Sequence, residues 1–321
     1  MKIIVLSLVS IFLSLSLAAQ LMVSEEQAIL KTSSGNIYGT LKIPMSKKPI
    51  PVALLIAGSG PTDHNGNQPN MQNNSLKMIG DVLFYKGVAS LSFDKRGIGE
   101  SKDNRKKEEE LRFEDYVNDV CLWIDQLSQD KRFSDIIIIG HSEGSLIGMM
   151  ASRNNSKVSK YISIAGIGET AGNILKEQLE KQLAGQPQTV KDMIFSYIDK
   201  LEKGEMIENV PISLNSLFRA SIQPYLISWF KYNPQEEIAQ LRIPILILQG
   251  TTDIQVSTEQ AELLAKANTK AQKIIIENMN HVLKDCESTD MQTQLTATYN
   301  NPTAPLNKQL SESILDFIRS K

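Results

Sequence analysis

Apolar residues along this chain follow two different rhythms. Near the start, Gln27 to Ser33 and Ile37 to Ile43 alternate apolar with polar positions around Ser34-Gly35-Asn36, a turn-forming cluster, which predicts an antiparallel hairpin. Further on, short and almost wholly apolar runs recur at 52–57, 88–93, 136–139, 161–165, 245–248 and 273–276. Such runs suit strands buried on both faces, the signature of a parallel sheet. Helical periods separate them. Phe113 to Leu127 places Tyr116, Val120, Trp123, Ile124 and Leu127 on one side, and Thr258 to Ala267 does the same with Ala261, Leu264 and Ala265. Alternating strand and helix predict an α/β fold, a mostly parallel sheet flanked by helices.

One interval breaks this alternation. Between Gly166 and Leu241 no buried strand is legible, and the text reads as amphipathic helices punctuated by Gly185, Pro187, Gly204, Pro211, Pro224 and Pro234. The expected organisation is therefore a core of residues 20–165 and 242–321 with a helical insertion, 166–241, placed as a lid. A polar stretch, Lys284 to Asn307, precedes a terminal helix over Leu306 to Ile318, and the charge run Lys102 to Glu110 reads as a solvated loop or helix entry.

Composition narrows the function. Of 321 residues, 41% are hydrophobic and 22% charged, which excludes disorder and a multi-span membrane protein. Lys and Arg number 34 against 36 Asp and Glu, so no global field draws the chain to nucleic acid or anionic lipid. Cys121 and Cys286 are too few for a disulfide framework or zinc site, and His64, His141 and His281 show no metal-ligand spacing; no metal and no cofactor are expected. Cys121 is expected as a core thiol, and Cys286 as a more exposed one. At the N-terminus, Lys2 and the apolar run Ile3 to Leu17 precede Ser16-Leu17-Ala18, which predicts a signal peptide over 1–19 and an exported protein without a membrane span after cleavage. Export argues against nicotinamide- or ATP-dependent chemistry.

The chemistry concentrates in Gly140-His141-Ser142-Glu143-Gly144, directly after the run 136–139 and before a helical stretch, Ser145 to Arg153. A sharp strand-to-helix turn with glycine on either side exposes the middle serine, and the N–H of Glu143 then points at the same spot from a helix N-terminus. A serine nucleophile needs a base. His141 is turned away by the elbow and His64 lies in the first crossover loop, whereas His281 follows the last buried run. Its orienting carboxylate is expected to be Asp253, just past the run 245–248, with Glu277 as the competitor. The chain order Ser142, Asp253, His281 matches the α/β-hydrolase arrangement. A second oxyanion donor is expected from Gly58-Ser59-Gly60-Pro61, at the N–H of Ser59 with Gly60 as the alternative.

Through GSGPTDHNGN at 58–67, DKRGIGES at 94–101, GHSEG at 140–144, QGTTDIQV at 249–256 and NMNHVLK at 278–284, the chain resembles the α/β-hydrolase superfamily from about residue 30 onward, and more closely the EstD-like bacterial carboxylesterases. The resemblance implies a carboxylic-ester hydrolase with Ser142 as nucleophile, His281 as base and Asp253 as its partner, acting on a small-molecule ester. It also makes Asp94-Lys95-Arg96-Gly97 a structural turn without a catalytic role. Rival readings remain: a serine aminopeptidase, thioesterase or acyltransferase with the same triad; a Rossmann enzyme suggested by Gly166-Ile167-Gly168-Glu169-Thr170-Ala171, but misplaced after a late strand; and a binding protein that keeps only the fold.

Overall fold

The computed structural model describes residues 24–104 and 106–320; the expected signal peptide lies outside them. Strands β1 (Ser24–Thr32) and β2 (Gly35–Ile43) form the hairpin, but their register pairs Thr32 with Gly35, so Ser33 and Ser34 make the turn. After β3 (Ile50–Ile56) come helix α1 (Ser75–Tyr85) and β4 (Ala89–Phe93). Helix α2 (Phe113–Gln129), β5 (Phe133–His141), α3 (Glu143–Ser152) and β6 (Val158–Ile164) follow. The stretch expected to be helical holds α4 (Ala171–Gln182), α5 (Gln188–Glu202), α6 (Asn215–Phe218), α7 (Gln223–Phe230) and α8 (Pro234–Ala239). The chain then runs through β7 (Ile245–Gly250), α9 (Thr258–Ala267), β8 (Gln272–Ile276), α10 (Met291–Gln294) and α11 (Lys308–Arg319).

The eight strands lie in the order β1-β2-β4-β3-β5-β6-β7-β8, antiparallel across β1, β2 and β4 and parallel from β4 to β8. This is the α/β-hydrolase fold. The apolar runs are explained by the pleat, because successive side chains point to opposite faces. In β5, Ile136 and Ile138 enter the core under α2 and α3, while Ile137 and Ile139 enter the second core with α1 and α11. Neither face meets water, so no polar alternation survives.

Chain order reverses at β3: the path moves outward to β4 and then returns to β5 on the other side. The loops leaving the carboxyl ends of β3 and β5 therefore diverge, and a crevice opens between them. Those loops carry Gly58-Ser59 and Ser142.

The insertion is fastened to the core by aromatic packing. Phe113 of α2 stacks on Trp229 of α7 with centroids 5.8 Å apart, and the Phe113 N–H donates to Ser228 Oγ at 2.8 Å. Phe218 and Phe230 of the insertion are buried in the same apolar core as Phe113 and Trp123 of α2. The charge run 102–110 is also more than a solvated face. Glu108 accepts hydrogen bonds from Arg219 and Ser221, tying this loop to the insertion, and Lys106 pairs with Asp115. No helix among the described residues is long and apolar enough to cross a membrane.

Candidate active site

Ser142 occupies a conformation that L residues rarely adopt, φ 54° and ψ −121°, between the last residue of β5 and the first of α3. Its N–H donates to Ile164 O at 2.9 Å and its carbonyl accepts from Ser145 at 2.9 Å, so sheet and helix both hold it there. The flanking glycines are needed for space. A Cβ on Gly140 would lie 2.2 Å from Gly144 O, and one on Gly144 would lie 2.3 Å from Ile56 O. The same logic accounts for the Rossmann-like glycines, since a Cβ at Gly166 would meet Ser145 Oγ at 2.3 Å and one at Gly168 would meet Gln260 O at 2.4 Å. Close packing, not a pyrophosphate, requires them.

His281 sits past β8, buried, and its Nδ1 donates to Asp253 Oδ2 at 2.8 Å. Asp253 is held in turn by Gln249 Nε2 at 3.0 Å and by the N–H groups of Gln255 and Val256 at 2.8 and 2.9 Å. Burial by itself pushes this carboxyl up; the charge and hydrogen bond of His281, with the two backbone donors, outweigh it and hold Asp253 below the ordinary carboxylate value. In the neutral imidazole, the tautomer that donates from Nδ1 to Asp253 has Nε2 as its acceptor atom. Glu277, the competing carboxylate, is exposed.

Ser142 and His281 line one cavity of about 50 Å³, together with Gly58, Ser59, Thr62, Gln255 and Val282. Gly58 abuts the serine: a Cβ added there would lie 3.1 Å from Ser142 Cβ. The N–H groups of Ser59 and Glu143 have no acceptor among the described residues, which leaves them free to donate to a ligand oxygen. Beyond Met71 and Gln255, which border both spaces, opens a second cavity of about 370 Å³ lined also by Gln178, Lys181, Ile254, Leu295 and Tyr299.

His141 lines the same cavity as Ser142 and His281, and its ring is engaged by the base loop. Its Nε2 donates to the main-chain carbonyl of His281 at 2.8 Å, and burial, with His281 beside it, pushes its imidazole down to about 3.

Two further groups escaped the sequence reading. The Nδ1 and backbone N–H of His64 both donate to Asp94 Oδ1, at 2.8 and 2.7 Å, pinning the loop after β3 to the end of β4. Lys95, next in the chain, is fully buried and donates to Gly58 O at 2.7 Å and Glu143 Oε2 at 2.8 Å. Only the charged pattern Asp94-Lys95-Arg96 after an apolar run hinted at such a role.

Both cysteines are free and half-buried; Cys121 is less enclosed than a core thiol, and burial pushes it up. Among the described residues no three His, Cys, Asp or Glu side chains are grouped to hold a metal ion.

The sequence profile described as serine aminopeptidase S33 matches residues 71–285, more than half of the chain. Esterase EstD of Thermotoga maritima is 23% identical over 249 residues, covering 76% of this chain and 57% of that protein, so the chain spans little more than half of that relative's length. Among solved structures, Est1E from Butyrivibrio proteoclasticus superposes with a TM-score of 0.60 at 16% identity, covering 92% of this chain and 99% of that one. An esterase of Pyrococcus furiosus superposes with a TM-score of 0.58 at 11% identity, covering 94% and 92%. Likeness at these identities concerns the fold.

Proposed function

The chain belongs to the serine aminopeptidase S33 family of hydrolases, and from that premise we propose that it is a serine carboxylesterase cleaving small carboxylic esters through an acyl-enzyme. Ser142 Oγ attacks the ester carbonyl carbon while His281 Nε2 takes its proton. The carbonyl oxygen becomes an oxyanion, which the N–H groups of Ser59 and Glu143 stabilise. As the intermediate collapses, His281 returns the proton to the departing alkoxide and the alcohol leaves. Water then adds to the acyl-enzyme by the same sequence, releasing the acid and restoring Ser142. Asp253 stays ionised throughout and stabilises the imidazolium.

The observation that carries this reading is the 2.8 Å contact of His281 with Asp253 beside a cavity lined by both His281 and Ser142. The comparison with Esterase EstD supports an ester substrate.

A specific observation weighs against the aminopeptidase alternative. An exopeptidase must hold a substrate ammonium with an acidic group, yet among the described residues no carboxylate borders either cavity, and the second is bordered by the cation Lys181. Of the acids on α4, Glu177 pairs with Lys181 on the same helix, and Glu180 pairs with Lys191, a buried lysine of α5.

Residues 166–241 serve in this reading as the lid. They depart from the carboxyl end of β6, Gln178 and Lys181 of α4 border the second cavity, and Tyr225 of α7 reaches Glu143 of the elbow. Export is part of the proposal and rests on Lys2 and the apolar run after it; N-terminal sequencing of protein recovered outside the cytoplasm tests it.

The deciding experiment is a hydrolysis panel of short and long acyl esters, thioesters and aminoacyl anilides, with Ser142→Ala as the control. Esters should lead. Preference for anilides would move the assignment to the peptidase, and preference for thioesters to a thioesterase.

A further inference from the structure

The loop after β4 places a buried cation behind the elbow. Lys95 Nζ lies 2.7 Å from Gly58 O, 2.8 Å from Glu143 Oε2 and 5.0 Å from the centre of the Tyr116 ring. An ammonium has three N–H bonds, and here two meet oxygens while the third is offered to an aromatic face. The second oxygen of Glu143 accepts from the hydroxyl of Tyr225, which comes from the insertion. Lys95 and Glu143 are each only 2% exposed, so both charges have left water and are compensated by this network alone.

We propose that Lys95 is the positioning residue of the oxyanion hole, setting both of its donors from behind; the proposal rests on the assignment of Ser59 and Glu143 to that hole. Two features of the geometry lead there. Gly58 C=O and Ser59 N–H belong to one planar trans peptide, so they point in opposite directions. A cation that holds the carbonyl from the buried side turns the N–H toward the cavity that Gly58, Ser59 and Ser142 share. It also polarises the peptide, making that N–H a stronger donor. The second feature is Glu143, whose main chain supplies the other donor and whose side chain is clamped between Lys95 and Tyr225. One ammonium therefore fixes two N–H groups from loops that are far apart in sequence, and Tyr225 makes the seating of the insertion part of the same network. Lys95 itself is absent from the lining of the cavity and acts through its neighbours.

A purely structural ion pair predicts that stability and rate fall and recover together. The positioning role predicts that they separate. Lys95→Met leaves the Glu143 carboxylate buried without its cation and should lose both stability and rate. The double variant Lys95→Met with Glu143→Gln removes both charges, so its melting temperature should return near wild type. Its kcat on p-nitrophenyl acetate should nonetheless stay roughly 10²-fold low, about the effect of losing one oxyanion donor, with KM within about twofold. Its labelling by a fluorophosphonate, which also builds negative charge on oxygen, should slow in parallel. Should the double variant not fold, Lys95→Gln, which keeps a donor in place, serves instead and should fall between Lys95→Met and wild type in kcat. Wild-type kcat in a folded double variant, or in Lys95→Met, would overturn the proposal. A wild type that labels but hydrolyses no ester would refute the ester reading alone, with Lys95 then decided by labelling rates; a wild type that does neither would overturn both.

Discussion

The imidazole of His141 donates to the main-chain carbonyl of His281 at 2.8 Å, so the residue before the elbow serine holds the backbone of the proposed base. The two rings lie 4.8 Å apart, and His141, with burial pushing it down to about 3, stays neutral across the working pH range. It is a fixed strut. His141→Phe keeps much of the ring volume but strips the carbonyl of its partner, which should cost about 1–3 kcal/mol of stability. The freed base loop should lower kcat by roughly 10- to 100-fold, the scale of a slightly misplaced catalytic group. Because His141 carries no titrating charge, His141→Gln should leave the pH-rate profile in place; a displaced profile would mean that His141 takes part in proton transfer.

Asp253 and Glu277 separate the proposed orienting carboxylate from a bystander. Asp253→Asn would stabilise the wrong imidazole tautomer and should cost on the order of 10⁴ in kcat. Ser142→Ala should cost roughly 10⁴ to 10⁶. Glu277→Gln, at an exposed position, should change little. Steady-state rates on one activated ester, with circular dichroism to check folding, rank the three, and a Glu277 variant more damaged than the Asp253 variant would reverse the assignment.

What the sequence made legible was whatever has a local signature. Strands buried on both faces print as apolar runs such as Ile136 to Ile139, and the elbow prints as glycines at fixed spacing around Ser142. Helix α1 escaped, because its buried face mixes Ser75 and Gly80 with Leu76, Ile79 and Leu83, and an asparagine-rich loop precedes it. The partnership of Lys95 with Glu143 joins residues 48 positions apart, and that of His64 with Asp94 joins residues 30 apart. Nothing in either segment by itself names the other. Such pairs exist only because the sheet order brings the ends of β3, β4 and β5 side by side.

His64 and Asp94 give the loop after β3 a pH-sensitive anchor. The hydrogen bond to Asp94, working against burial, raises His64 above its ordinary 6.5, with the charges of Asp94, Asp63 and Glu100 adding to the shift. A raised imidazole contributes its stability fully below about pH 6.5, the unfolded value, and loses it as pH climbs through the raised folded value. The difference in unfolding free energy between wild type and His64→Gln should therefore shrink as pH rises from 6 to 9, on the scale of one imidazole titration. Denaturant melts at several pH values measure it. A gap that stays constant would show that the pair holds the loop through the neutral imidazole.

The two cavities set an expectation for substrate shape. The space beside Ser142 is about 50 Å³, room for a short acyl group, whereas the adjoining space is about 370 Å³ and is bordered by Met71, Ile254, Leu295 and Tyr299 alongside Gln178 and Lys181. Each methylene buried there is worth about 0.8 kcal/mol, or roughly fourfold in kcat/KM. Lengthening the group that enters the larger space should raise kcat/KM stepwise until the wall is reached, after which it levels off. The acyl side should fail early: acetyl and propionyl esters should outrun octanoyl esters. Leu295→Trp would fill the larger space and should abolish the stepwise gain for long-chain alcohols while leaving methyl acetate hydrolysis near wild type. The measurement is kcat/KM over two series, acyl length at fixed alcohol and alcohol length at fixed acetyl. A rate that climbs steadily with acyl length would place the acyl chain in the larger cavity and reverse the orientation argued here.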